Sequence, residues 1–219
     1  MVTFRDRREA GKALAKELAF LKGQKDVIVL AIPRGGVVVG YQVAEDLGVP
    51  LDIYITRKIG APYNPELALG AVASDGSVIL DEGLLQRLGV SSDFVEGEKK
   101  RQQAEIARRL DKYRGNRPAP DLAGKTVILV DDGVATGATT LATLRALKKQ
   151  PIAKLILAIP VGPPDVIETL SKEADQIVCL STPEPFWAVG SFYLVFDQTS
   201  DEEVLKLLQA AQKRQAAAT

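Results

Sequence analysis

The chain has 219 residues, 46% of them hydrophobic and 26% charged, an ordinary globular composition with room for one sizeable core. Lys plus Arg number 28 and Asp plus Glu number 28, so the formal net charge is zero; nothing global pulls the protein toward nucleic acid or a membrane surface, and any phosphate-binding charge must be local. With no histidine and one cysteine, Cys179, the chain excludes an intramolecular disulfide, a Cys-rich zinc site, His-ligated metals and Ser-His or Cys-His catalysis. The start is charged from Arg5 to Glu9 without a signal-peptide pattern, and no apolar run approaches the ~18 residues of a membrane span, so a cytoplasmic protein is expected.

Residues 4–22 carry Ala10, Leu14, Leu18 and Leu21 at helical spacing. Val27–Ile32 is a continuous apolar run, predicted as a buried strand, followed by a turn at Pro33-Arg34-Gly35-Gly36 and a helix over Val37–Leu47. Leu51–Thr56 reads as a second strand, and the Gly- and Pro-containing stretch from Arg57 to Leu69 as a long loop. Ala71–Leu80 predicts a hairpin turning at Asp75-Gly76. Two helices follow, Glu82–Leu88 and Ser91–Tyr113, with Pro118, Pro120 and Gly124 leading back. Between Glu96 and Arg117 stand eight basic and four acidic residues, read as a solvated helix face, with a dimer surface or nucleic-acid contact as the competing readings. A strand at Val127–Val130, a helix at Leu141–Lys149, a strand at Lys154–Ile159, a helix at Pro164–Lys172 and a strand at Gln176–Leu180 complete the alternation. Cys179 in this last run reads as a buried strand thiol. Phe192–Phe196 is a candidate final strand; Asp201–Arg214 reads as a terminal helix with a fraying Ala-rich tail.

Alternating strands and helices predict a Rossmann-like α/β fold, a parallel sheet flanked by helices, with ligands at the carboxyl ends of the strands. The chain is expected to be a single domain over 1–219 with a helical insertion at about 82–117.

The chemistry concentrates after Val127–Val130. Asp131-Asp132 is followed by Gly133-Val134-Ala135-Thr136-Gly137-Ala138-Thr139-Thr140 and a helix. Backbone N–H groups at such a helix start bind anions, and the Thr136, Thr139 and Thr140 hydroxyls add donors. Two carboxylates would repel a phosphate, so they suit a neutral polyol or a metal; a sugar phosphate satisfies both halves.

This segment resembles the signature of type I phosphoribosyltransferases, which bind 5-phosphoribosyl-1-pyrophosphate (PRPP). The resemblance implies ribose hydroxyls on Asp131 and Asp132 and the 5-phosphate on the loop from Gly133 to Thr140. It implies a pyrophosphate loop at Arg34, Gly35 and Gly36, often with a non-proline cis peptide, and pyrophosphate contacts from Arg57 and Lys58. It implies a lid at Ile59–Leu69, although a plain surface loop is the competing view there. It implies Mg2+ held by Asp131 and Asp132 indirectly, through water and PRPP, and a nucleobase-like acceptor. The family's variable hood and the loop containing Val161 would meet the base, with Phe186 or Trp187 stacking on it and Tyr193 and Phe196 assigned to the core. Ala135 stands where 6-oxopurine enzymes usually carry Asp, which weighs against hypoxanthine or guanine. Relatives commonly form homodimers, and the balanced charge weighs against a nucleic-acid partner. A PRPP-sensing regulator without turnover is the alternative. The resemblance covers about residues 25–160.

Overall fold

The structure, a computed structural model, describes residues 3–218. Its first half runs α1 (Arg7–Glu17), β1 (Val27–Ala31), α2 (Gly35–Leu47), β2 (Leu51–Ile53), β3 (Thr56–Ala61), β4 (Asn64–Ala73), β5 (Val78–Leu80), α3 (Glu82–Leu88) and α4 (Ser92–Arg114). The second half runs β6 (Thr126–Val130), α5 (Ala138–Leu147), β7 (Lys154–Val161), α6 (Pro164–Ser171), β8 (Gln176–Ser181) and α7 (Asp201–Ala218).

Five strands form a parallel sheet in the order β2-β1-β6-β7-β8. Helices cover both faces, so the strands are apolar throughout rather than alternating with polar residues. Val27, Val29, Ile128 and Val130 pack on one face with Leu14, Val39, Val43 and Leu208 of α1, α2 and α7. Ile28, Leu30, Val127 and Leu129 pack on the other with Leu144 and Leu147 of α5 and Leu170 of α6. Each fully buried side chain of this size contributes roughly 1.5–3 kcal/mol. The predicted α/β sheet is present, and the smaller layer beside it is a three-stranded antiparallel sheet, β3-β4-β5.

Several boundaries differ from the sequence reading. Residues 57–69 are not a loop. They form most of a β-hairpin in which β3 pairs with β4, with bulges at Gly60. Ile59 and Leu69 are fully buried, and a Cβ at position 60 would stand 2.6 Å from the Pro65 carbonyl oxygen, so the glycine marks a close strand approach rather than an open loop. The second strand therefore ends at Ile53, and Thr56 opens the next sheet. The hairpin at Asp75-Gly76 is as expected, with Gly76 at φ +84°. Phe192–Phe196 is not a strand: Val189–Phe192 is a 3-10 turn, and Tyr193 makes only an isolated bridge to Phe4. The first helix starts at Arg7, because the Asp6 side chain accepts from the Glu9 N–H and caps it there. The last helix continues to Ala218, in keeping with the high helix propensity of alanine. Cys179 lies on β8 as read but is only half-buried rather than buried; the burial it has still pushes its thiol pKa up.

Candidate functional site

β1 and β6 lie side by side, with Ala31 opposite Val130. From β1 the chain crosses through α2 to β2 on one side, and from β6 through α5 to β7 on the other. The connections therefore part at this point, which opens a crevice at the carboxyl edge of the sheet. The Pro33–Arg34 peptide is cis, the feature the resemblance implied, and α2 begins at the next residue.

Both glycines of this turn press on the acidic pair. A Cβ at position 35 would stand 2.7 Å from Asp132 Cγ and 2.8 Å from Arg7 Nε. A Cβ at position 36 would stand 2.9 Å from the Val130 carbonyl and 3.0 Å from Asp131 Oδ1. The two segments singled out in the sequence thus meet with no room for a methyl group between them.

The two carboxylates are not equivalent. Asp132 Oδ2 accepts from Arg7 Nε at 2.7 Å, with the two side chains only 16% and 12% exposed. Arg7 also donates to the Asp197 carbonyl at 2.7 Å and lies 3.8 Å above the Phe196 ring. The Tyr193 hydroxyl donates to the Asp132 carbonyl at 2.6 Å. Asp131 accepts the Asp132 N–H at 2.8 Å, and burial, followed by the neighbouring Asp132 charge, pushes its carboxyl well above the usual range. Sequence reasoning missed Arg7, which lies in a charged N-terminal run, far from the signature in the chain.

After the acidic pair the loop splits into two faces. Ala135, Thr136, Ala138 and Thr139 are exposed, whereas Gly133, Val134, Gly137 and Thr140 are buried. The Val134 N–H is committed to the Val161 carbonyl at 2.9 Å, and Val161 is itself fully buried behind the loop. Gly137, at φ +71°, starts α5 with no side-chain cap, so the first-turn N–H groups are left for a ligand or water.

Arg57 and Lys58, at the start of the hairpin, line a cleft of about 740 Å³ together with Thr136, Ala138 and Thr139. Arg57 Nε donates to the buried Gln102 of α4 at 3.1 Å. Burial, with the nearby Arg109 adding to it, lowers the Arg57 guanidinium pKa. The resemblance implied pyrophosphate contacts for this pair; here both line the cleft beside Thr136 and Thr139, with Arg109 of α4 close to Arg57. Arg34 lies apart from that cleft, in a second cavity lined by Arg108, Arg109 and Lys112 of α4. The sequence reading gave those three cations no place in the site, because a basic helix surface reads as solvated or as an interaction face. Phe186 stacks on Phe192, with centroids 5.0 Å apart, and belongs to an aromatic cluster with Phe4, Tyr193 and Phe196; Trp187 is the exposed ring of the segment.

Among the described residues no three acidic, His or Cys side chains gather into a cation cage. A magnesium ion here would be held as that ion prefers, by one or two carboxylates, water and substrate phosphates, with Asp131 as the carboxylate not committed to a protein cation.

The profile described as "Phosphoribosyl transferase domain" matches residues 5–197, well beyond the 25–160 over which the resemblance was read. Two proteins of Mycobacterium tuberculosis, strains CDC 1551 and H37Rv, each described as "Putative phosphoribosyl transferase", are 41% identical over 213 residues, 97% of this chain and 48% of theirs. The chain thus spans about half the length of the curated relatives it matches. The crystal structure of TT1426 from Thermus thermophilus is 42% identical and superposes with a TM-score of 0.85 over 95% of this chain and 99% of that one.

Proposed function

The chain belongs to the phosphoribosyl transferase family, and we propose that it transfers the phosphoribosyl group of magnesium-PRPP to a nucleobase or related nitrogen nucleophile, releasing pyrophosphate. We take the whole chain as one such domain. The observation that carries the reading is the direct packing of the Asp131-Asp132 pair against the Gly35-Gly36 turn, with the uncapped start of α5 after it. That arrangement offers acceptors for a vicinal diol between two anion cradles.

In the reaction the bond from the anomeric carbon to the diphosphate oxygen breaks and a bond to the acceptor nitrogen forms; the acceptor's proton leaves to solvent. Asp131 and Asp132 orient the ribose hydroxyls, and their negative potential suits the positive character that grows on the sugar. Thr136, Thr139 and the exposed N–H groups hold the 5-phosphate, with Lys58 and Arg57 across the cleft. Arg34 faces the departing diphosphate. Magnesium, when bound, neutralises charge on that leaving group. No protein nucleophile is needed, in keeping with the absence of histidine and the strand position of Cys179.

A second reading, a regulator that binds PRPP without turning it over, is favoured by the ion pair that engages Asp132 with Arg7. Pyrophosphate release from PRPP across a panel of bases separates the two. Release with any acceptor supports transfer; a PRPP-dependent rise in melting temperature without release across the panel supports the regulator. No thermal shift at millimolar PRPP, or unchanged PRPP affinity in both Asp131→Asn and Asp132→Asn, removes the site assignment.

A further inference from the structure

The charged face of α4 is not simply a solvated surface. Its C-terminal end is fixed to the sheet: Arg114 pairs with Asp52 at 3.3 Å and donates to the Ile53 carbonyl at 3.2 Å, and the buried Tyr113 hydroxyl bonds Asp201 of α7. This anchoring holds Arg108, Arg109 and Lys112 over the turn that carries Arg34.

The result is a cavity of about 420 Å³ lined by Arg34, Arg108, Arg109, Lys112, Tyr113 and Asp201, with Pro33. Two carboxylates offset the four cations. Asp201 is shared by Lys112 at 2.5 Å and Arg34 at 3.7 Å, and Glu105 by Arg108 at 2.9 Å and Arg109 at 2.7 Å. Two positive charges remain in excess, in a protein whose net charge is zero. Such a cluster repels itself until an anion enters, and three guanidinium forks with one ammonium suit an anion with several oxygens. Arg34 immediately precedes Gly35, whose backbone rests against Asp132. The cavity therefore ends at Arg34, one residue before the turn that packs on the acidic pair, and shares no lining residue with the Thr136-Thr139 cleft.

We propose that α4 completes a diphosphate-binding pocket, in which Arg108, Arg109 and Lys112 join Arg34 in holding the diphosphate group of the donor and of the product. This rests on the transferase reading above and adds the α4 segment to the substrate site. It also accounts for a ligand with phosphate at both ends. The 5-phosphate meets the start of α5, the diol meets Asp131 and Asp132, and the diphosphate meets the α4 pocket.

The test is calorimetric titration of the full chain with magnesium pyrophosphate and, separately, with ribose 5-phosphate. Arg108 and Lys112 are 64% and 40% exposed, so the double variant Arg108→Gln/Lys112→Gln is expected to fold. It should bind pyrophosphate at least ~10-fold more weakly, the loss expected when charge-assisted hydrogen bonds go, with ribose 5-phosphate affinity unchanged. Lys99→Gln/Lys100→Gln removes the same charge from α4 outside the cavity and should leave both affinities unchanged. Equal pyrophosphate affinity in wild type and the Arg108/Lys112 variant overturns the pocket while leaving the transferase reading intact. Equal weakening in both double variants also overturns it, because the effect is then long-range charge alone. Wild type that binds neither ligand overturns the transferase reading and the pocket together. Pyrophosphate binding that depends on Arg108 and Lys112 supports the pocket whether or not ribose 5-phosphate binds on its own, and the transferase reading is then judged by pyrophosphate release from PRPP.

Discussion

A methyl group added at Gly35 tests the meeting of the turn and the acidic pair. The new Cβ would stand 2.7 Å from Asp132 Cγ and 2.8 Å from Arg7 Nε, closer than non-bonded atoms allow. Relief requires Asp132 to swing away, which breaks its 2.7 Å bond to Arg7. Overpacking costs about 1–3 kcal/mol and a charge-assisted hydrogen bond about 1.5–3 kcal/mol. The helix gains at most about 1 kcal/mol from replacing glycine by alanine. The steric term wins, and Gly35→Ala should be destabilised by about 1.5–5 kcal/mol, a fall of roughly 3–20 °C in melting temperature for a chain of this size.

Gly97→Ala is the matched control. Gly97 lies within α4, and a Cβ there meets nothing within 4 Å, so only the propensity gain remains: about 1 kcal/mol, or roughly 2–4 °C upward. Gly36→Ala should be worse than Gly35→Ala, since its close contacts include backbone, the Val130 carbonyl at 2.9 Å and Asp131 Cα at 3.0 Å. Melting curves with and without magnesium-PRPP read both effects. Gly97→Ala should keep the ligand-induced rise and Gly35→Ala should lose it. Should Gly35→Ala melt with Gly97→Ala and respond to PRPP alike, the two segments do not share a site.

Arg7→Gln should destabilise the protein by about 2 kcal/mol, roughly 4–8 °C, by leaving Asp132 uncompensated. Adding Asp132→Asn should recover part of the loss, and strict additivity in the double-mutant cycle would count against the coupling. Tyr193→Phe, which orphans the Asp132 carbonyl, should lower the melting temperature by roughly 2–4 °C, a cost of about 1 kcal/mol. Hydrogen bonds from Arg108 and then Arg109 hold the Glu105 carboxyl down at about 2, against an ordinary 4.5. A depressed acid stabilises the fold above its unfolded value and loses that contribution as pH falls, so stability should decline between 4.5 and about 2. Glu105→Gln should flatten that slope in urea unfolding series.

What the sequence revealed follows from the range of each interaction. The strands Val27–Ala31, Thr126–Val130 and Lys154–Val161 were legible because burial on both faces makes the strands continuous apolar runs. The Asp131-to-Thr140 segment was legible because a carboxylate pair and an anion-binding turn are local devices. The hairpin over 56–73 was not, since Gly60 and Pro65 signal a loop locally and only the cross-strand partner shows that they let two backbones approach. Arg7 and the α4 cations were hidden for the same reason. Arg7 reaches Asp132 across 125 positions and Lys112 reaches Asp201 across 89, and nothing near a charged residue in sequence announces a distant partner.

The α-helix starts fall into two groups, capped and uncapped. Asp6, Asp81, Ser91 and Ser200 each accept an N–H at the start of α1, α3, α4 and α7. The three helices leaving the carboxyl edge of the sheet, α2, α5 and α6, start at Arg34, Gly137 and Pro163 with no side-chain cap. A good cap stabilises by about 1 kcal/mol, so roughly 3 kcal/mol is forgone along one edge of one sheet. Propensity alone does not explain this, because the same chain caps its other long helices. A side-chain oxygen at Gly137 would occupy the donors that an anion needs. On the proposed function, these bare ends are where a phosphorylated ligand would supply the missing acceptors and recover that stability.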